Sequence, residues 1–455
     1  MNKKKFLFIL TIAFLLTPLH TNANELPLQA GAAVLVEHST GRILYAHNAH
    51  QPMFPASTTK MLTALVVVEH LSLDTVIIAG EEVRNMPSGF TTNIPTYGEA
   101  MTVRMLLTGL LVPSANEAGR VLALEVVRTT EGRRDIPYMT EAKARFASLM
   151  NEKARSLGAT SSNFNNPYGF HSDMHYTTAH DLAIIARAFM DNPILAEIVK
   201  LREFSGANQA GHMHSWTNTN LMLPGAPFGH PYILGLRTGY TTPAGRCFVG
   251  AAYHNGMKLI SVVLHSGDPA RWLDTGMLIN YGFNNYGFRE VLSEGQLMDT
   301  VAIDNHRRGD SDTLEVFSKQ AQTALLSHEE YANLRRETTF DPLLLVEHEY
   351  ETVLRAPIEE GETVGTVQYI SNGEVIFTSS LVASREVLER TFDSDMDYFI
   401  AMFFGNIFTK RALPYWFAVI GVLFGLMWMF FAVTISRRAR RIERWNSAQA
   451  RQRRR

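Results

Sequence analysis

The sequence predicts an α+β body, one antiparallel sheet covered by helices, followed by a small all-β domain and a single transmembrane helix. Three observations lead there. Strand-like runs with tight turns open and close a region whose interior has helical periodicity; after about Gly287 the texture changes to short β-like runs between polar loops; and residues 413–435 are an uncharged apolar run. Strands at both ends of a helical region pair most simply in one sheet with the helices laid over it. At 455 residues the chain is long enough for two bodies with separate cores.

The N-terminus reads Met1-Asn2-Lys3-Lys4-Lys5, then an apolar stretch over 6–19, then Thr21-Asn22-Ala23. A basic start, a short apolar core and small residues at its end form a secretory signal peptide, with cleavage expected after Ala23. An uncleaved anchor is the alternative, although the apolar core is short for a span. Cys247 is the only cysteine, so no intramolecular disulfide can form and stability must come from core burial.

Residues 33–37 and 43–46 read as strands joined by Ser39-Thr40-Gly41-Arg42. Helical spacing of apolar residues follows at 60–71, 103–111, 117–127, 141–157 and 179–190. A second hairpin spans 248–253 and 258–264, where Asn255-Gly256 suits the turn that matches strand twist. A third, in the β-rich part, spans 363–370 and 375–382 around Asn372-Gly373. The expected organisation is therefore a signal peptide at 1–23, a catalytic domain at 24–287, a β domain at 288–392, a segment at 393–412, a transmembrane helix at 413–435 and a tail at 436–455.

Twenty-three apolar residues suffice to cross a bilayer as a helix. Arg437, Arg438, Arg440, Arg441 and Arg444 follow at once, and Arg451, Arg453, Arg454 and Arg455 close the chain. Cytoplasmic flanks carry such excess positive charge, which places the tail inside and the body between signal and span on the outer face of the cytoplasmic membrane. A buried core helix and a nucleic-acid-binding tail are the alternatives. A net charge of -2 argues against a nucleic-acid partner for the folded part, which has no basic surplus to offer phosphates. Ahead of the span, 396–408 is rich in aromatics and methionine, with Asp393, Asp395 and Asp397 before it and Lys410 and Arg411 after it, a pattern that fits an interfacial helix.

The chemistry concentrates in three places. Ser57-Thr58-Thr59-Lys60 follows Pro55 and opens an apolar helical run; if the helix begins at Ser57, a spacing of three sets hydroxyl and amine on one face. A serine needs a base within hydrogen-bond reach, and a lysine serves once apolar surroundings lower its pKa. An N-cap serine beside a surface lysine is the alternative. Ser114-Ala115-Asn116 lies between two helical patterns after Pro113, and Arg237-Thr238-Gly239 precedes the second hairpin, its glycine permitting close approach of another backbone. A capping serine and a solvated arginine are the plain readings of those two.

In this order and at these separations, the three segments resemble the motifs of the D-alanyl-D-alanine carboxypeptidase family of low-molecular-mass penicillin-binding proteins, S-x-x-K, S-x-N and K-T-G. The likeness extends to residues 54–61, 98–103, 110–118 and 235–239, and 354–358 with Gly361 and Gly365 is similar to that family's C-terminal β domain. The resemblance implies the serine β-lactamase/DD-peptidase fold and an acyl-enzyme on Ser57, with Lys60 as base, Ser114 as proton relay and Asn116 holding the peptide stem. It also implies that Arg237 and Thr238 grip a carboxylate, and that an oxyanion site forms from the Ser57 and Tyr240 backbone N–H groups behind Gly239. The substrate would be a peptidoglycan stem peptide, β-lactams would acylate the same serine, and no cofactor or metal is called for. Arg237 departs from the family's lysine; it keeps the charge and makes proton transfer at that position less plausible.

Rival readings carry their own signatures. A metallopeptidase is prompted by His171, His175 and His180, which lack any His-Glu-x-x-His pattern. A β-lactamase has little need of a β domain and a membrane span. A catalytically weak, peptidoglycan-binding relative has no need of both motif serines and the lysine.

Overall fold

The computed structural model describes residues 25–84, 86, 92–348, 351–407 and 413–452. The signal peptide expected at 1–23 and the last three arginines lie outside them. By its internal contacts the chain divides after Phe288 into two units.

The first unit opens with the hairpin β1 (Ala32–Glu37) and β2 (Ile43–His47). Helix α1 (Lys60–His70), the short pair β3 (Val76–Ile78) and β4 (Ala100–Thr102), and helices α2 (Val103–Leu111), α3 (Asn116–Glu131), α4 (Lys143–Leu157), α5 (Ala179–Asp191) and α6 (Pro193–Lys200) follow. A polar hairpin, β5 (Glu203–Ala207) and β6 (Met213–Thr217), leads to β7 (Ile233–Gly235), β8 (Thr238–Thr241), β9 (Gly245–His254), β10 (Met257–Ser266) and α7 (Ala270–Asn285). The main sheet has the order β2-β1-β10-β9-β7, with β8 also paired to β9, and every pairing is antiparallel.

Both faces of this sheet are covered. Val249 and Ala251 of β9 and Ile260, Val262 and Leu264 of β10 join the core shared with α1 to α6, whereas Phe248 and Ala252 pack with Trp272 and Ile279 of α7. That is why 248–252 and 259–264 carry almost unbroken apolar runs instead of alternation. The β9–β10 register turns at Asn255 and Gly256, with φ of 47° and 80°, the pair of positive values a type I′ turn requires.

Several elements escaped sequence reading, among them the short pair β3 and β4. Helix α6 follows α5 directly: Asn192 caps it through bonds to the Ile194 and Leu195 amides, and Pro193 sits at its first position. Helix α7 carries two glycines that mask its helical character, and a Cβ on Gly282 would stand 2.6 Å from a Leu259 methyl, so the small residue sets how closely helix meets sheet. The β5–β6 hairpin is largely solvated and shows little apolar alternation.

Strand β11 (Tyr286–Leu292) carries the chain into the second unit. Then come β12 (Leu297–Asp304), β13 (Thr313–Ser318), β14 (Gln322–Ser327), the one-turn helix α8 (His328–Ala332), β15 (Arg335–Phe340), β16 (Leu345–His348), β17 (Glu351–Arg355), β18 (Thr363–Ser371) and β19 (Glu374–Ala383). Seven strands form one sheet in the order β15-β18-β19-β13-β12-β17-β16, and its core gathers Leu314, Val316, Leu354, Val367 and Leu381. Helix α9 (Phe392–Ile407) and the 40-residue α10 (Leu413–Gln452) complete the chain. Among the described residues, Pro414–Arg444 is the one helix long and apolar enough to cross a membrane.

The interior of the first unit is filled by residues such as Leu106, which is fully buried between α2 and its neighbours. Leu106→Ala is expected to cost about 2–5 kcal/mol in a denaturant titration, through lost transfer energy and a residual cavity.

Candidate active site

Ser57 sits in a 3₁₀ turn, Ala56–Thr59, that runs into α1, so regular helix begins at Lys60, where the helical spacing of apolar residues begins in the sequence. The tighter turn has a local cause: the Thr58 amide and hydroxyl both donate to the Pro55 carbonyl, at 3.3 and 2.7 Å. Ala56 is held at φ 48°, an uncommon conformation for a residue with a Cβ. Two glycines close on this turn. A Cβ on Gly239 would lie 3.0 Å from the Ser57 nitrogen, and one on Gly169, itself at φ +82°, would collide with the Ala56 carbonyl at 1.8 Å. Gly239 thus has the close approach that the sequence implied for it.

Lys60 is completely buried. Its Nζ lies 2.9 Å from Ser57 Oγ, 3.1 Å from Ser114 Oγ and 2.7 Å from Asn116 Oδ1. A neutral amine satisfies all three: two N–H bonds go to Asn116 and Ser114, and the lone pair accepts the Ser57 hydroxyl. Burial is the largest influence on Lys60 and pushes its pKa well below the ordinary lysine value; the Arg237 cation pushes the same way, and Glu117 opposes both. Ser114 is brought in by the connection between α2 and α3, where it adopts φ 72° while the Ala115 amide bonds back to the Gly109 carbonyl at 2.9 Å.

Arg237 arrives from the irregular step between β7 and β8 and is fully buried. Its guanidinium donates to the Leu111 carbonyl and to Ser114 Oγ, its Nε has no hydrogen-bond partner among the described residues, and burial lowers its pKa to about 10. Both terminal nitrogens are therefore turned to Leu111 and Ser114, and the charge acts on the cleft through Ser114 and Lys60. Thr238 is largely buried, its hydroxyl 2.7 Å from that of Thr219. Tyr240 is half exposed, with the Arg246 guanidinium 4.0 Å above its ring; Arg246 and Arg271 both pair with Asp268 at 3.4 Å.

Sequence reasoning missed the support around this cluster. Glu117, buried beside the lysine, accepts from the Thr92 amide and hydroxyl and the Asn93 amide. Asn166 Oδ1 gathers the amides of Tyr168, Gly169 and Phe170, shaping the loop whose Tyr168 carbonyl lies 3.4 Å from Ser57 Oγ. The signal was Asn166-Pro167-Tyr168-Gly169, turn chemistry in a long connection between helices. His171, His175 and His180 are not brought together. His171 packs on Phe54 and His180 on His50, while His175 bonds to Thr59 Oγ1 and is buried and neutral, its pKa lowered to about 3 by desolvation.

An antiparallel sheet between helical layers, with a serine at a helix start and a desolvated lysine against it, defines a serine-type peptidase that works through an acyl-enzyme. Residues 19–267 match the family described as D-alanyl-D-alanine carboxypeptidase, and residues 286–389 match the C-terminal domain of penicillin-binding protein 5. The chain belongs to the D-alanyl-D-alanine carboxypeptidase family. Among its relatives, a D-alanyl-D-alanine carboxypeptidase of Bacillus subtilis is 25% identical over 81% of this chain and 88% of its own. One from Mycobacterium tuberculosis is 31% identical over 57% of this chain and 86% of its own. The crystal structure of a D-alanyl-D-alanine carboxypeptidase from Francisella tularensis superposes with a TM-score of 0.61 at 25% identity, covering 80% of this chain and 95% of that one.

Arg237 lowers the Lys60 pKa, so removing its charge raises that pKa and leaves less neutral amine at a given pH. Arg237→Ala is therefore expected to move the acid limb of the pH profile for acylation by a β-lactam to higher pH, whereas Arg237→Lys leaves it near its original position. A limb unmoved by the alanine variant would show that the two cations are not coupled.

Proposed function

We propose that this protein removes the terminal D-alanine from peptidoglycan stem pentapeptides through an acyl-enzyme on Ser57. The observation that carries the reading is the single buried amine within 3.1 Å of Ser57, Ser114 and Asn116.

Neutral Lys60 takes the proton of Ser57 as Oγ attacks the carbonyl carbon of the penultimate D-alanine. The backbone N–H groups of Ser57 and Tyr240 stabilise the resulting oxyanion, on a turn and strand that Gly239 allows to abut. As the C–N bond breaks, the leaving nitrogen needs a proton. Ser114 Oγ already accepts from Lys60 and Arg237, so its own hydrogen is the group left to donate, and it is replenished from the Lys60 ammonium. Free D-alanine departs, and water attacks the ester with Lys60 again as base, restoring Ser57. Asn116 orients the stem through its amide. The positive potential of Arg237 and the hydroxyl of Thr238 favour a substrate ending in a carboxylate, and this sets the enzyme to cut at a chain end. β-Lactams acylate Ser57 because they resemble the acyl donor, and the opened ring, which stays tethered, then blocks water.

The envelope setting follows from the chain's ends. We assign residues 1–23 to a signal peptide, 24–287 to the catalytic domain, 288–392 to the β domain and 393–412 to an interfacial segment, of which 393–407 belong to α9. Residues 413–435 span the cytoplasmic membrane with the Arg-rich tail at 436–455 inside, leaving the catalytic unit on the outer face.

D-alanine release from a pentapeptide ending in D-Ala-D-Ala is expected from the wild-type chain and to fall by at least about 10³-fold in Ser57→Ala. Mass spectrometry of the penicillin-treated protein should place the adduct on Ser57. Substantial release by the variant, or an adduct elsewhere, would refute the assignment.

A further inference from the structure

The apolar stretch of α10 passes without a break into an arginine-rich turn. Arg437, Arg440, Arg441 and Arg444 recur at spacings of three, one and three, which at 3.6 residues per turn confines them to an arc of about 100°. Glu443, the one acid between Ser436 and the chain end, lies outside that arc, about 110° from its centre, and Arg438 lies about 110° from the centre on the other side. The four arginines, with Val433 and Ser436, enclose a depression of about 470 Å³. With a rise of about 1.5 Å per residue, the patch starts roughly 3 Å beyond Ile435 and ends roughly 14 Å beyond it, through the depth of lipid headgroups. We propose that this arginine face binds the phosphates of anionic phospholipids.

Orientation by positive charge depends on how many arginines flank the span, not on which side of the helix they occupy. The gathering of four of the five juxtamembrane arginines on one arc, with the acid outside it, is the added feature, and it makes a concave set of guanidinium forks suited to phosphate oxygens. Val433 lines the same depression, so an occupant meets apolar surface at its inner end and charge at its outer end. An acyl chain attached to a phosphate has that polarity; a polynucleotide does not. The inference rests on α10 spanning the membrane.

The full-length chain in nanodiscs of phosphatidylcholine doped with phosphatidylglycerol, read by lipid retention in native mass spectrometry, tests it. Each arginine near a charged surface is worth roughly fivefold, so the wild-type chain should retain phosphatidylglycerol over phosphatidylcholine by at least about tenfold. Arg437→Gln, Arg440→Gln, Arg441→Gln and Arg444→Gln together should bring the ratio below about twofold with D-alanine release unchanged. A charge-neutral rearrangement, Ala439→Arg with Arg440→Ala and Glu443→Arg with Arg444→Glu, should weaken the preference by at least about fivefold. Equal retention of both lipids, or a rearranged variant that keeps its preference, would overturn the proposal. Tighter binding of a single-stranded oligonucleotide than of phosphatidylglycerol would reassign the face to nucleic acid. Extraction of the chain from membranes by alkaline carbonate would instead refute the span beneath it.

Discussion

Placing a lysine amine in a site without solvent is unfavourable unless the amine is neutral or its hydrogen bonds are complete. Lys60 meets both conditions, because its three oxygen partners match two donors and one lone pair. Much else in the first unit follows from this arrangement. Helix α1 must begin just at Lys60 so that Ser57 falls on the preceding turn, the α2–α3 connection must present Ser114 and Asn116 together, and β8 must lie close enough to send Arg237 behind Ser114.

The opposed charges around Lys60 show how the balance is set. Arg237 disfavours the ammonium and Glu117 favours it, so the amine is tuned by two residues that never take its proton. A lysine at position 237 would also supply charge, but it lacks the planar fork that reaches Leu111 and Ser114 at once. The strained backbone supports the same end. Ala56 and Ser114 both sit at positive φ beside the reacting groups, held there by neighbouring glycines and turn hydrogen bonds.

Much of this was legible in the sequence, for identifiable reasons. The Asn255-Gly256 and Asn372-Gly373 turns fix their hairpins locally, and 103–111 coincides with α2 because Thr102 caps it and the apolar stripe begins at once. The motif residues were legible as a set, and the structure gathers Ser57, Lys60, Ser114, Asn116 and Arg237 from three separate stretches of chain. What stayed hidden depends on contacts distant in sequence. Glu117 looks like any acid in a first helical turn until Thr92 and Asn93 close over it. The Asn166 loop reaches Ser57 across more than a hundred residues, and α7 disguises its packing role behind glycines.

Acylation of Ser57 depends on the protonation state of one side chain. Direct titration of Lys60 by NMR, with lysine ¹³C-labelled at Cε and Lys60→Ala used to assign the signal, tests it most simply. A Lys60 resonance that titrates well below the ordinary lysine value of 10.5 is the predicted result. Titration at that ordinary value would contradict the account, because Ser57 would then face an ammonium at neutral pH and have no base.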